Sequence, residues 1–481
     1  MACFKSKCKV GNLKMKKISK KLSFGVSIIP IIVLIVLLTL NIKFADGEAH
    51  MPILATAIVA AVIARTAGFS WEELEKGIID TLKESLQSML IFCIIGIVIG
   101  MWILGGIVPT MIYYGLKLIS PNLFLVTACI ICSIVALATG SSWTTVGTVG
   151  IALMGIGHGL GVPAPMVAGA IISGSYFGDK ISPLSDTTNL APTVSGTTLF
   201  EHVRHMIYTT TPSYIITLIA YAILGAKYSG ASYSSGLLET ILNGLRGQFT
   251  ISPILFIPPL FIIVMVIKKI PAIPGLIISA LLGALCAVIF QNADMASIVR
   301  TAQYGYVSNS GVQVIDELLS GGGLDSMMWP LSLVFISMSL AGIMERSGMM
   351  DAVANKILTY AKSVGGLITA TVLTCISVNT ITGDQYLSIV FTGKMFKKEY
   401  DKRDLDPKNL SRTLEDAGTL TSPLIPWNAC AVFMASTLNV ATIKYLPYAL
   451  LGLINPIVAI IFGYTGFTIV KKQKASTTNV G

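Results

Sequence analysis

Runs of about twenty apolar residues, the length that crosses a hydrocarbon core as one helix, recur from one end of the chain to the other. "FGVSIIPIIVLIVLLTLNI" from Phe24, "SMLIFCIIGIVIGMWILGG" from Ser88 and "GLIISALLGALCAVIF" from Gly275 are three of them. They specify an all-α polytopic membrane protein with about ten to twelve transmembrane helices, several of them short or broken. Composition agrees: of 481 residues 53% are hydrophobic and only 12% charged, with mean hydropathy +0.76. Ordinary soluble domains carry about 25% charged residues.

The formal charge of +10 does not indicate a nucleic-acid partner, because of where it lies. Residues 1–22 hold eight Lys and no acid, the tail after Val470 holds three Lys, and the other 23 basic residues face 24 acidic ones. Basic segments flanking apolar runs stay on the cytoplasmic side, so both termini are expected there, with "KK" at Lys268 and Lys269 and "KMFKKEYDKR" from Lys394. The first apolar run is too long for a signal peptide and lacks a small-residue cleavage site, so it is read as a retained helix. No Walker loop occurs, and the longest polar connection, roughly Lys397 to Glu415, is too short to fold alone, so ATP bound to this chain is not the energy source. Cys129 and Cys132 form a CxxC inside an apolar span with no second pair, which reads as helix packing; no disulfide framework, zinc site or cofactor is indicated.

The chain repeats itself. "TGSSWTTVGTVG" from Thr139 parallels "TGDQYLSIVFTG" from Thr382, Gly178 before "SPL" parallels Gly418 before "SPL", and Gly106 parallels Gly348. Three landmarks in the same order argue for a duplicated unit. The organisation is then a basic tail (1–22), a first transmembrane helix (23–50), repeat 1 (51–225), a linker (226–251), repeat 2 (252–466) and a second basic tail (467–481). An odd number of crossings between equivalent points would invert one repeat against the other, the arrangement that puts a transport site near the bilayer midplane. The span count leaves that parity open.

Each repeat is interrupted at two polar stretches: "TGSSWTT" or "NTITGDQY", and the "SPL" segment. Pro183 and Pro423 remove a backbone donor and clash with the preceding turn, so the helices break there. Non-helical backbone at membrane depth survives only when buried in protein or lining a wet cavity. Free carbonyls, hydroxyls, amides and carboxylates are hard oxygen ligands suited to Na⁺, and helix N-termini carry partial positive charge. Asp179, Asp186 and Asp384 are the acids expected in such a cavity, with Glu415 and Asp416 close behind, because a carboxylate inside a membrane is costly without a function. The plainer alternatives are an ion pair of Asp179 with neighbouring Lys180 and a solvated helix start at Glu415 and Asp416. Trp143 and Tyr386 read equally as packing and as substrate contacts. His158 reads as a loop bystander, and His202 and His205 as part of a basic helix at the membrane edge.

"TGSSWTTVGTVGIALMGIGHGLG", "MVAGAIISGSYFGDKISPLSDTTNLAP", "NTITGDQYLSIV" and "TSPLIPWNACAVFMAS" together resemble the bacterial NhaC-type Na⁺/H⁺ antiporters of the ion transporter superfamily. "GGIVPTMIYYGLKLISP" and "RHMIYTTTP" are similar to the malate/lactate branch. The resemblance implies two inverted-topology repeats with re-entrant hairpins and discontinuous helices, and two clamshells that hold cations with substrate between them. The first would be Ser141, Ser142, Thr144 and Thr145 with Ser182, Asp186, Thr187 and Asn189. The second would be Asn379, Thr380, Thr382 and Asp384 with Ser422 and Asn428. Asp186 falls opposite Pro426 when the "SPL" motifs are aligned, so the two ion sites are not equal.

The expected function is secondary antiport of Na⁺ against H⁺, coupled to a small carboxylate such as malate or lactate; the alternatives are Na⁺/H⁺ exchange alone and Na⁺-coupled amino-acid exchange. Asp186 is the leading proton and cation carrier, Asp179 and Asp384 the next, with Na⁺ at Asp186, Asn189 and Asp384. Trp143 and Tyr386 would join the hydroxyls in contacting substrate. A passive channel would need a continuous polar path, and a membrane hydrolase would need its acids on facing regular helices; neither pattern is present. The chain is thus expected in a bacterial cytoplasmic membrane among lipids, with Na⁺, H⁺ and small organic acids as ligands, and as a homodimer.

Overall fold

The computed structural model describes residues 22–472 apart from residues 45–48, 119, 184, 228–234, 269, 312–314, 317–318 and 360. Most of the two basic tails, and Lys269, lie outside the described residues. The protein is all-α and polytopic: seven of its described helices are long and apolar enough to cross a membrane, or nine if each of two bent pairs is one span. The bent pairs are Glu239–Gln248 with Pro253–Ile262, at 93°, and Ala429–Leu438 with Thr442–Tyr448, at 88°. Two shorter apolar helices, His50–Thr66 and Leu450–Thr465, fall below that length. Any tally above nine therefore rests on short helices, and several short helices carry the polar breaks.

In chain order the first half comprises α1 (Ile29–Phe44), α2 (His50–Thr66), α3 (Trp71–Leu104), α4 (Ile107–Leu118), α5 (Phe124–Thr139), α6 (Ser142–Thr145), α7 (Ile151–Gly159), α8 (Ala164–Ile181), α9 (Asp186–Ser195) and α10 (Leu199–Ala226). After α11 (Ser235–Gln248), α12 (Ile257–Ile267), α13 (Ala272–Gln291) and α14 (Met295–Tyr304) come α15 (Met328–Arg346), α16 (Met349–Leu358), α17 (Val364–Thr382), α18 (Gln385–Lys402), α19 (Pro407–Leu414), α20 (Ala429–Leu438) and α21 (Leu450–Thr465). A π-helical turn, Val146–Gly150, joins α6 to α7, and another, Glu415–Thr419, extends α19.

Capping marks where two of the longest helices begin. Ser70 and Glu73 form a capping box at the start of α3, and Thr198 and Glu201 form one at the start of α10. Each satisfies two backbone donors that the first turn leaves open. At about 1.5 Å per residue the 34 residues of α3 extend about 51 Å, longer than a hydrocarbon core, and only Ser85–Leu104 is span-grade.

Small residues set the closest helix contact. Gly174 and Gly178 on α8 face α5, where an added Cβ would come within 2.1 Å of the Cys129 carbonyl oxygen and 2.2 Å of that of Ser133. Such a small-x-x-x-small face lets two backbones approach where lipid offers no hydrophobic drive. Cys129 and Cys132 are free thiols buried at this contact.

Four backbone devices recur 243 residues apart. Gly140 ends α5 and Gly383 ends α17 in the left-handed conformation, at φ 65° and 66°. Ser141 caps the Thr144 N–H, as Asp384 caps that of Leu387. Ser185 caps α9 as Asn428 caps α20, and Gly196 and Asn439 close those helices in the left-handed region. Positive φ costs little for Gly and is tolerated by Asn. These landmarks correct the pairing of Asp186 with Pro426. The "SPL" motifs are three residues out of step with the caps, because Ile425, Pro426 and Trp427 are inserted before Asn428; Asp186 therefore corresponds to Ala429. The insertion ties the two breaks of the second half together, since the Trp427 indole N–H donates to the Thr380 carbonyl at 2.7 Å.

Candidate functional site

The breaks of the first half, joined by the start of α18 from the second, enclose a cavity of about 390 Å³. Its polar wall is Thr139, Ser141, Trp143 and Thr144 at the α5–α6 break, Asp179 at the end of α8, and Ser185, Asp186, Thr187 and Asn189 at the start of α9. Gln385 and Tyr386 come from α18; Ile91, Ile262, Met265, Ile270 and Leu276 form the apolar side. The volume lies in the roughly 300–1,000 Å³ range of small-ligand pockets.

The two cavity acids are held differently. Asp179 is 6% exposed, and its carboxylate accepts the Ser142 N–H at 3.0 Å, so it sits at the N-terminus of α6. Asp186 is the first residue of α9, is exposed at the cavity, and makes no hydrogen bond or ion pair among the described residues. Asn189 points its amide N–H groups at the Pro183 and Ser185 carbonyls, at 2.9 and 2.7 Å, leaving its carbonyl oxygen unengaged by these bonds. The Thr188 hydroxyl donates to the Lys180 carbonyl at 2.9 Å, fastening the non-helical link between α8 and α9. Trp143 stacks on Phe433 of α20 with ring centroids 4.6 Å apart, and Phe92 of α3 meets both edge-on. This aromatic set joins the two halves beside the cavity.

The structure thus gathers Ser141, Trp143, Thr144, Asp179, Asp186, Thr187, Asn189 and Tyr386 at one site. Other expected residues lie behind it, engaged through backbone groups, and the buried Ser142 hydroxyl has no hydrogen bond among the described residues. Ser142 supplies the N–H to Asp179, the Thr145 hydroxyl donates to the Ser141 carbonyl at 3.0 Å, and that of Ser182 to the Leu137 carbonyl at 2.8 Å. The second clamshell does not line this cavity. Asn379 donates to the Gly418 carbonyl at 2.7 Å, Thr380 and Thr382 to carbonyls one turn back, and Ser422 to the Thr419 carbonyl at 2.7 Å. Asn428 caps the Cys430 N–H at 3.0 Å. Asp384 is 4% exposed and its carboxylate accepts the Leu387 N–H at 2.9 Å, so the expected grouping of Asp384 with Asp186 and Asn189 around one ion is not assembled in this cavity.

Three plainer expectations are overturned by a buried polar cluster on the other side of α8. Lys180 pairs with Asp416, both side chains fully buried, rather than with Asp179. The Asp416 carboxylate also accepts from Thr209 at 2.9 Å and Asn455 at 2.7 Å, with the Arg412 guanidinium 3.9 Å away. Glu415 and Asp416 have no exposed surface, so they are not a solvated helix start. His202 and His205 are buried at 0% and 3%, with His202 bonded to Ser411, so they do not form an exposed edge. His158 is exposed in the last turn of α7. The sequence signal for this cluster was Lys180, a charge at the end of an apolar stretch; Arg412, Glu415 and Asp416 adjoin the polar connection from Lys397 and gave no such signal.

Residues 174–467 match the model of a family described as the Na⁺/H⁺ antiporter family. The Na⁺/H⁺ antiporter NhaC of Alkalihalophilus pseudofirmus is 42% identical over 94% of this chain and 98% of its own length. The arginine/ornithine antiporter ArcD of Halobacterium salinarum is 40% identical over 94% of both chains. The malate-2H⁺/Na⁺-lactate antiporter of Bacillus subtilis is 38% identical over 91% of this chain and 94% of its own. Similarity of this extent covers both halves, both sets of breaks and the cavity between them: the chain belongs to the Na⁺/H⁺ antiporter family and is a transporter, not an enzyme.

Proposed function

We propose that the cavity exchanges Na⁺ against protons, with Asp186 as the carboxylate that alternately holds the two. The carrying observation is that Asp186 opens into the cavity without a protein partner while hydroxyls and the Asn189 carbonyl surround it. A carboxylate without a fixed counter-charge accepts either a proton or a hard cation, and the other ligands are the oxygens that Na⁺ favours. Asp179, anchored on the Ser142 N–H, adds negative potential without giving up its own site. Alternating access follows if occupancy of the cavity biases a rigid-body movement between the two repeats, inverted against one another in the bacterial cytoplasmic membrane with both termini inside. The test is a Na⁺ gradient across proteoliposomes with a pH dye inside: Asp186→Asn is expected to abolish Na⁺-driven proton movement, and an unchanged rate sinks the assignment.

A second reading, an organic co-substrate, draws on the cavity's size, which exceeds what one ion needs. Among the described residues its lining has two carboxylates, two aromatic rings and no Lys, Arg or His. That donor set favours a cationic substrate, in keeping with the arginine/ornithine relative. Malate or lactate, the cargo named for the Bacillus relative, would meet like charge from Asp179 and Asp186 and would travel only with co-bound cations. Counterflow of radiolabelled arginine, ornithine, malate and lactate in the same vesicles separates these cases; uptake of none leaves Na⁺/H⁺ exchange alone.

A further inference from the structure

Glu415 is fully buried, and neither of its carboxylate oxygens has a hydrogen-bond partner among the described residues. It opens the π-helical turn Glu415–Thr419, a distortion that recurs at functional sites. Its polar neighbours include Lys180, Thr419 and Thr187, and Thr187 also lines the cavity. One residue further on, Asp416 takes its bond from Lys180, leaving the Arg412 Nε–H and the second Asp416 oxygen without hydrogen bonds. Two buried cations, Lys180 and Arg412, therefore share one carboxylate with a single hydrogen-bonded oxygen, while the carboxyl group of Glu415 beside Lys180 is unengaged. An unpaired buried anion is costly, and so is an uncompensated cation. The charge on Glu415 decides which of the two costs the cluster bears.

We propose that Glu415 is a second proton-carrying residue of the exchange reaction, distinct from Asp186. With the cavity empty of cation, Glu415 holds its proton. When a cation enters beside Asp186, the Glu415 O–H bond breaks, the proton passes along the Thr187 hydroxyl to cavity water, and the carboxylate left behind is compensated by Lys180. Loss of the cation reverses each step. The charged and titratable groups that act on Glu415 are Lys180 and Asp179 of α8 and Cys375 of α17, with Asp416 next to it in the chain. This step rests on the proposed Na⁺/H⁺ reading.

Glu415→Gln keeps the shape of the group and removes its exchangeable proton. In proteoliposomes this variant is expected to lose Na⁺-driven proton movement while still exchanging radiolabelled Na⁺ against unlabelled Na⁺, which needs no proton; Glu415→Asp should restore part of the proton movement. Wild-type rates of proton movement in Glu415→Gln overturn the proposal, as does loss of Na⁺/Na⁺ exchange together with it, the mark of a structural role. If the wild-type chain moves no Na⁺ at all, the functional reading fails, and infrared spectra of the purified protein still decide on Glu415. A C=O band of a buried protonated carboxyl, present in wild type and missing in Glu415→Gln, supports the proton site; identical spectra refute it.

Discussion

The helix starts of the two halves perform the same backbone tasks with different side chains. Ser141 and Asp384 each cap a helix after a left-handed glycine, and Ser185 and Asn428 each cap the helix after the "SPL" break. The acids fall on different sides of that task. In the second half the carboxylate is the cap itself, bound to the Leu387 N–H and buried. In the first half both caps are serines, and Asp186 stands one residue beyond, open to the cavity, where the second half has the buried Ala429. A cap position and the position just after a cap therefore distinguish an acid engaged in holding the fold, Asp384, from one that is open to the cavity, Asp186.

Replacing both acids in the same conservative way gives the largest contrast. Asp186→Asn is expected to abolish exchange, whereas Asp384→Asn should keep most of it, because Asn caps a helix about as well as Asp. Equal loss of Na⁺-driven proton movement in the two variants would erase the distinction. A comparable loss confined to Asp384→Asn would reverse it, placing the exchanging carboxylate in the second half.

The next effect concerns the joint between the halves. Lys180 belongs to the first and Asp416 to the second, and their buried pair has no counterpart at the equivalent positions, Leu420 and Tyr176. Lys180→Met leaves Asp416 with its bonds from Thr209 and Asn455 but only a distant guanidinium as counter-charge, and removing one partner of a buried pair costs about 3–5 kcal/mol. Thermal unfolding in detergent should show that loss, and adding Asp416→Leu should recover much of it. Recovery of stability without recovery of transport would mean that the pair serves function more than folding.

Much of this arrangement was legible in the sequence, for identifiable reasons. Gly140, Gly383 and the two Ser-Pro steps announce broken helices through backbone chemistry alone, and matching them led to the expectation of a duplicated unit. Asp186 stood out as an acid among hydroxyls within an apolar chain. The pairing of Lys180 with Asp416 was not legible, because 236 residues separate partners that only tertiary packing joins. Its neighbour Asp179 offered a nearer and misleading alternative. The capping role of Asp384 was missed because an acid in a membrane segment reads first as a ligand, although an Asp directly before an apolar helix is also a start signal. Ile262, Met265 and Leu276 look like any lipid-facing residues until the fold places them on the cavity wall.

That capping role carries a smaller, separable prediction. Asp384→Ala removes the side-chain acceptor for the Leu387 N–H and should destabilise the protein by about 1 kcal/mol, as cap deletions commonly do. Ser141→Ala removes the equivalent bond to Thr144 in the first half and should cost a similar amount. Unfolding midpoints in detergent test both. A much larger cost for Asp384→Ala alone would show that its buried charge has a role beyond the cap.

The smallest effect lies at the far ends of α9 and α20, where Gly196 and Asn439 occupy the left-handed position at φ 89° and 53°. Asn reaches that region with help from its short polar side chain, while Gly reaches it without steric cost. Asn439→Gly should therefore change stability by no more than about 0.5 kcal/mol, since native-state relief is offset by greater freedom of the unfolded chain. Gly196→Ala should cost more, roughly 1–2 kcal/mol, because Ala meets the left-handed penalty with no compensating bond and its Cβ would lie 2.9 Å from the Lys397 ammonium. Lys397 is a long surface side chain that can swing away, so the backbone penalty, not the contact, sets the size of the effect. If Asn439→Ala proves as costly as Gly196→Ala, the two closures are conformationally equivalent, and the differences between the halves reside in the residues that follow their caps.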